Sequence, residues 1–146
     1  VTYLRIYFCC GLSLKPLQSD IQTFVDLLRD YGNALYFENH IPFFQMISNL
    51  MGTSNQTFEL SGEFMNQNDS IRQWSKSGNE MALQQIYFHR MMLAYFFNDL
   101  ELAGKMSQKM WSAYTEGPDV VSSYTPSSRL SSVDFLCMRV RAIVCI

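Results

Sequence analysis

Residues 80–103 read EMALQQIYFHRMMLAYFFNDLELA, and their reading decides the fold. A helix begins near Asn79 and is apolar around most of its circumference, interrupted by Gln84, Gln85, His89 and Arg90. A helix of that kind is sandwiched between neighbours. Asn98-Asp99 then marks a stop and a restart: Asn tolerates the left-handed conformation that closes one helix, and Asp caps the free N–H groups of the next. Leu100, Ala103, Met106, Met110 and Ala113 follow at offsets 0, 3, 6, 10 and 13, one face of a second helix. The small Ala103 lets the two backbones approach, and Gly117-Pro118 is the expected stop.

Toward the N-terminus the same period recurs. Ile21, Phe24, Val25, Leu28 and Tyr31 fall at offsets 0, 3, 4, 7 and 10, which predicts a helix from residue 18, capped by Ser19 or Asp20 with Pro16 just upstream. Gly32-Asn33 weakens or ends it. Pro42 favours a new start, with Phe43, Ile47, Leu50 and Met51 on one stripe and Gly52 placed to terminate. These two helices are expected to pair as an antiparallel hairpin. Residues 53–80, rich in Asn, Gln, Ser and Thr, predict a long loop followed by a short helix over 70–76. No strand alternation precedes the last ten or so residues, so the chain reads as all-α, built of helix pairs that form part of a solenoid.

Composition bounds the function. A chain of 146 residues with 48% apolar content can bury a core. Its 11 basic residues are scattered and its formal net charge is -2, which supplies no electrostatic footprint for nucleic acid. The longest apolar run, 91–97, is far shorter than the roughly 20 residues of a bilayer span. The opening VTYLRIYFCCG has no signal-peptide pattern, and the chain reads as soluble, cytoplasmic and cut from something longer. Cys9, Cys10, Cys137 and Cys145 match no zinc or disulfide spacing and are expected as reduced, mostly buried thiols. Asn55-Gln-Thr57 and Asn68-Asp-Ser70 fit the glycosylation acceptor pattern, which matters only in a secreted protein.

Chemistry-bearing patterns are sparse. A phosphate loop needs Gly-x4-Gly-Lys-Ser/Thr, whereas Gly104-Lys105 is followed by Met106 and preceded at the required distance by Asp99. His40 and His89 have no carboxylate or Cys at ligand spacing, so each reads as a satisfied or solvent-facing histidine, and neither makes a nucleophile–base pair with Cys9. Asp26 and Asp30, and Arg90 with Asp99 across the turn, read as solvated or weakly paired charges. Met91, Met92, Met106 and Met110 read as core filling rather than as an adaptable binding surface. No catalytic, cofactor-binding or metal-binding residue is expected.

Asn98-Asp99-Leu100-Glu101-Leu102-Ala103 resembles the tetratricopeptide turn Gly-Asp-Tyr-x-x-Ala, with Asn for Gly and Leu for Tyr. Over residues 3–116, the order YFCCGLSLKPLQSDI, PFFQMISNLMG, LSGEFM and FHRMMLAYFFNDLELAGKM resembles the tetratricopeptide-like helical region of large signalling multi-kinases. In that family a serine/threonine kinase-like domain and a P-loop ATPase precede the helices, and sensor plus histidine-kinase or nucleotide-cyclase domains follow. The resemblance is carried by Gly11, Pro16 and Leu17; Pro42, Gln45, Asn49, Leu50 and Gly52; Leu60, Gly62 and Glu63; and Tyr95, Phe96, Asp99 and Ala103. Residues 1–117 are thus expected to form the repeat segment and 118–146 a divergent C-terminal segment. The resemblance implies a non-catalytic scaffold that contacts a protein or adjacent domains of its own chain, because the activity of flanking domains does not pass to this one. The alternative is a free-standing small helical enzyme or ligand-binding bundle with residues 87–97 as an aromatic pocket wall.

Overall fold

Among the described residues seven helices follow one another: α1 (Thr2–Cys9), α2 (Leu14–Tyr31), α3 (Ala34–Glu38), α4 (Ile41–Leu50), α5 (Gln67–Ser77), α6 (Glu80–Phe96) and α7 (Leu100–Thr115). The structure, a computed structural model, describes residues 2–31 and 34–115. Among them there is no strand, and the fold is all-α. The Gly32-Asn33 break, the Gly117-Pro118 stop and the segment 118–146 lie outside the described residues.

The α6–α7 hairpin follows from its turn. Asn98 holds φ 60, the left-handed region that closes a helix. Its N–H donates to Tyr95 O at 3.1 Å and that of Asp99 to Ala94 O at 2.8 Å, so the last carbonyls of α6 are satisfied. The Asp99 carboxylate then accepts from Leu102 N at 3.0 Å as the cap of α7. The Lys109 amine lies 5.9 Å from the centre of the Tyr87 ring, positions symmetric about Asn98, so the helices run antiparallel. Met106 is buried between them. Leu100, the first residue of α7, departs from the expected stripe at 62% exposed.

Helix α6 is the centre of the molecule, packed against α4, α5 and α7. Ala82, Ile86, His89, Met92, Leu93 and Ala94 are its buried residues. Its start is the Asn79 side chain, which accepts from Ala82 N at 3.2 Å. Around it, α2 contributes Leu17, Ile21 and Val25 to the core, and α4 contributes Phe43, Phe44, Met46 and Ile47. Each fully buried aliphatic or aromatic side chain here stabilises the fold by about 1.5–3 kcal/mol relative to exposure.

Two helix starts differ from the sequence expectation. Helix α2 begins at Leu14, so Pro16 is its third residue, where no intrahelical N–H bond is needed, and Ser19 is interior rather than a cap. Helix α5 begins three residues before Ser70, because Asn66 caps it by accepting from Asn68 N and Asp69 N. The five-residue α3 stands where the sequence pattern marks only the break between two helices. Helix α4 also lacks a polar face: every residue from Ile41 to Asn49 is buried, since α2, α3 and α6 pack on it and the loop 51–66 covers the rest.

Candidate functional site

Where α4 meets the loop 51–66, a wholly buried amide cluster replaces apolar packing. Gly52, at φ 73, ends α4, with Gly52 N donating to Asn49 O at 3.0 Å and Thr53 N to Ser48 O at 3.1 Å. The chain then turns back across the helix it has left. One α-turn apart on α4, Gln45 and Asn49 point at that loop, and Gln45 Nε2 donates to Asn49 Oδ1 at 2.9 Å. Asn49 Nδ2 donates to Gln56 O at 2.9 Å and Glu59 O at 2.8 Å, with a longer approach of 3.3 Å to Thr57 O. Gln45 Oε1 accepts from Phe64 N at 3.0 Å.

Outer ties complete the fastening. The Arg90 side chain on α6 donates from Nε to Phe58 O at 2.9 Å, and Ser54 Oγ donates to Ser61 O at 2.8 Å. Gln67 on α5 accepts from Leu60 N at 3.0 Å through Oε1, placing Leu60 fully inside the core. Thus carbonyls 56, 58, 59 and 61, which a loop would ordinarily turn to water, are bound by side chains. Gly62 fits only because it lacks a side chain: a Cβ there would lie 2.6 Å from Gln45 Nε2. Phe58 packs edge-on against Phe97 at 5.9 Å, so the loop also reaches the α6–α7 turn.

The residues expected to carry the family resemblance therefore separate into two groups. Gln45, Asn49, Gly52 and Gly62 converge on this one cluster, and Pro42 sits in the first turn of α4 that presents it. Gly11, at φ 67, closes α1 elsewhere, Pro16 is exposed on α2, and Glu63 is exposed on the loop. Asn98 and Asp99 form their turn, with Ala103 half-buried on α7. Arg90, Ser54 and Gln67 were missed as partners. Arg90 binds a carbonyl 32 residues away, so no local pattern announces it.

The titratable groups nearby have other duties. His89 is buried, and its Nδ1 carries the proton because its partner, Gln85 O at 2.7 Å, can only accept. Burial, helped by the charge of Arg5, pulls its pKa down from 6.5 to about 3, so the ring is neutral at pH 7. Phe43 and Phe88 flank it at ring distances of 5.8 and 5.1 Å. Arg5 of α1 donates to Gln85 Oε1 at 2.8 Å and lies 5.5 Å over the Phe43 ring, which ties α1 to α4 and α6. His40 is half-buried, with its ring 4.5 Å from that of Tyr36.

Several sequence expectations are corrected here. Cys9 and Cys10 are exposed rather than buried, because α1 ends on the surface, while Cys137 and Cys145 lie outside the described residues. Trp74 is buried, whereas Tyr36 is exposed. Arg90 turns to Phe58 O rather than across the turn to Asp99. Within 87–97, Tyr87, Phe88 and Phe96 pack against the core.

Chemically, the cluster holds backbone in place and offers no acid, base or nucleophile, since amides do not titrate. Among the described residues no group of three or more His, Cys, Asp or Glu is placed to hold a metal ion, and no helix is long and apolar enough to cross a membrane. No protein-family model, curated protein or solved structure matches this chain.

Proposed function

We propose that this chain is a non-catalytic helical scaffold, a tetratricopeptide-like module that contacts a protein partner or adjacent domains of its own polypeptide in a cytoplasmic signalling assembly. The supporting observation is the exposure of apolar side chains at the outer elements. On α1, Tyr3 is 62% and Ile6 57% exposed, three residues apart and so on one face. Phe97 and Leu100 also stand exposed, on either side of the α6–α7 turn. Clustered apolar exposure of this kind marks contact surfaces, and repeat modules leave such faces for their neighbours. The stapled loop 51–66 contributes rigidity to the packed helices. Work is done by packing and relative rotation, with no bond made or broken.

The experiment combines sedimentation of the full chain with binding of a hydrophobic dye, for the parent and for Tyr3→Ser/Ile6→Ser and Phe97→Ser/Leu100→Ser. Dye binding and concentration-dependent association that both double variants reduce are the expected result. A parent that stays monomeric and dye-free at all concentrations overturns the proposal and favours a self-contained bundle. Reading the in-frame coding sequence on both sides for P-loop and sensor or cyclase motifs then tests the signalling assignment separately.

A further inference from the structure

Two consecutive cysteines stand on the surface at the end of α1. Cys9 is the last residue of that helix, Cys10 follows it, and both are exposed. Cys10 N still donates to Ile6 O at 2.9 Å, and Gly11 N to Phe8 O at 3.0 Å, so the helix persists through the pair and stops at Gly11. Directly beneath, Phe8 packs edge-on against Phe43 at 6.0 Å and Phe96 at 6.1 Å. The pair thus sits on the turn that seats α1 on the core.

We propose that Cys9 and Cys10 form a reversible redox site, in which a low-molecular-mass disulfide of the glutathione type converts the two thiols to a vicinal disulfide that unwinds the last turn of α1. The Cys9 thiolate attacks one sulfur of the external disulfide, forming a mixed disulfide and expelling one thiolate. The Cys10 thiolate then attacks the Cys9 sulfur and expels the second. Two cysteine thiols are oxidised, one external disulfide is reduced to two thiols, and the two protons from the cysteines end on them. Either cysteine can act first, with the same product.

Geometry makes the product both accessible and labile. Adjacent residues keep the second thiol within reach whichever sulfur is attacked, and exposure admits the reagent. Consecutive side chains on a helix diverge by about 100° around the axis, so the sulfurs cannot bond while the helical turn is intact. Neighbouring Cα atoms are also about 3.8 Å apart, closer than the roughly 4.4–6.8 Å that unstrained disulfides span. Closing the ring therefore breaks the Cys10 N to Ile6 O bond and loosens the Phe8 seat, and the strain makes the bond easy to reduce.

The test equilibrates the full chain in oxidised and reduced glutathione and maps the peptide that carries both cysteines by mass spectrometry. The melting temperature is followed in parallel. Loss of two hydrogens from that peptide is expected, with a lower melting temperature that dithiothreitol restores. Cys137→Ser/Cys145→Ser should behave like the parent, and Cys10→Ser should lose the shift. Stable glutathione adducts on Cys9 or Cys10, links to Cys137 or Cys145, or an unchanged melting temperature in the oxidised chain would each overturn the proposal.

Discussion

Replacing Asn49 with alanine removes the hub of the loop cluster without touching the apolar core. The side chain makes two short bonds to backbone carbonyls, Gln56 O at 2.9 Å and Glu59 O at 2.8 Å, and accepts one from Gln45 Nε2 at 2.9 Å. A net contribution of about 1 kcal/mol per bond gives a loss of about 3 kcal/mol. Water entering the vacated space would recover part of it, and the unpaired Gln45 amide would add to it, because Gln45 is wholly buried. Urea unfolding followed by far-UV circular dichroism and by the fluorescence of the buried Trp74 measures the change in midpoint. The isosteric Asn49→Asp sharpens the experiment: it keeps the acceptor for Gln45 but turns a carboxylate toward the carbonyls of Gln56 and Glu59. At neutral pH it should cost at least as much as alanine, and lowering the pH should restore part of the loss as the carboxyl gains a proton to donate. A cost for Asn49→Ala below about 0.5 kcal/mol, the size of an ordinary surface change, refutes the view that this amide holds the loop.

Gly62→Ala forces a Cβ to within 2.6 Å of Gln45 Nε2, which is itself engaged with Asn49, so a loss of about 1–3 kcal/mol is expected in the same urea assay. The loss should shrink when Gln45→Ala is added, since the clash then disappears. Asp99→Ala removes the cap of α7 and should lower stability by about 0.5–2 kcal/mol, while Asp99→Ser or Asp99→Asn should retain most of it. His89 gives a pH signature: its folded pKa is depressed to about 3, so the unfolded chain binds the extra proton and stability falls as pH drops from 6.5 toward 3. The limiting slope is about 1.4 kcal/mol per pH unit. Between pH 6.5 and 5 the carboxylates contribute little, and His89→Leu should flatten the urea midpoint there, whereas His40→Gln should flatten it less because His40 is only half-buried.

Sequence alone determined what depends on neighbours along the chain. The Asn98-Asp99 step, Gly52 after α4, Pro42 at its start and Asn79 before α6 are local choices of backbone conformation and capping, and they are written in residue types because each acts within a few positions. The all-around apolar character of α6 likewise marked it as the helix with neighbours on several sides. The helix α3, the burial of Trp74 and the exposure of Leu100, Cys9 and Cys10 were decided only by tertiary structure, since burial depends on what faces a residue across space. Gln45 and Asn49 make the same point for the candidate site. Their helical spacing carries no sign of burial, and only the return of the loop 51–66 over α4 turns them into a buried clasp. An amide serves water and a backbone carbonyl equally well, so the long-range fold, through the partner it supplies, determines which one it binds.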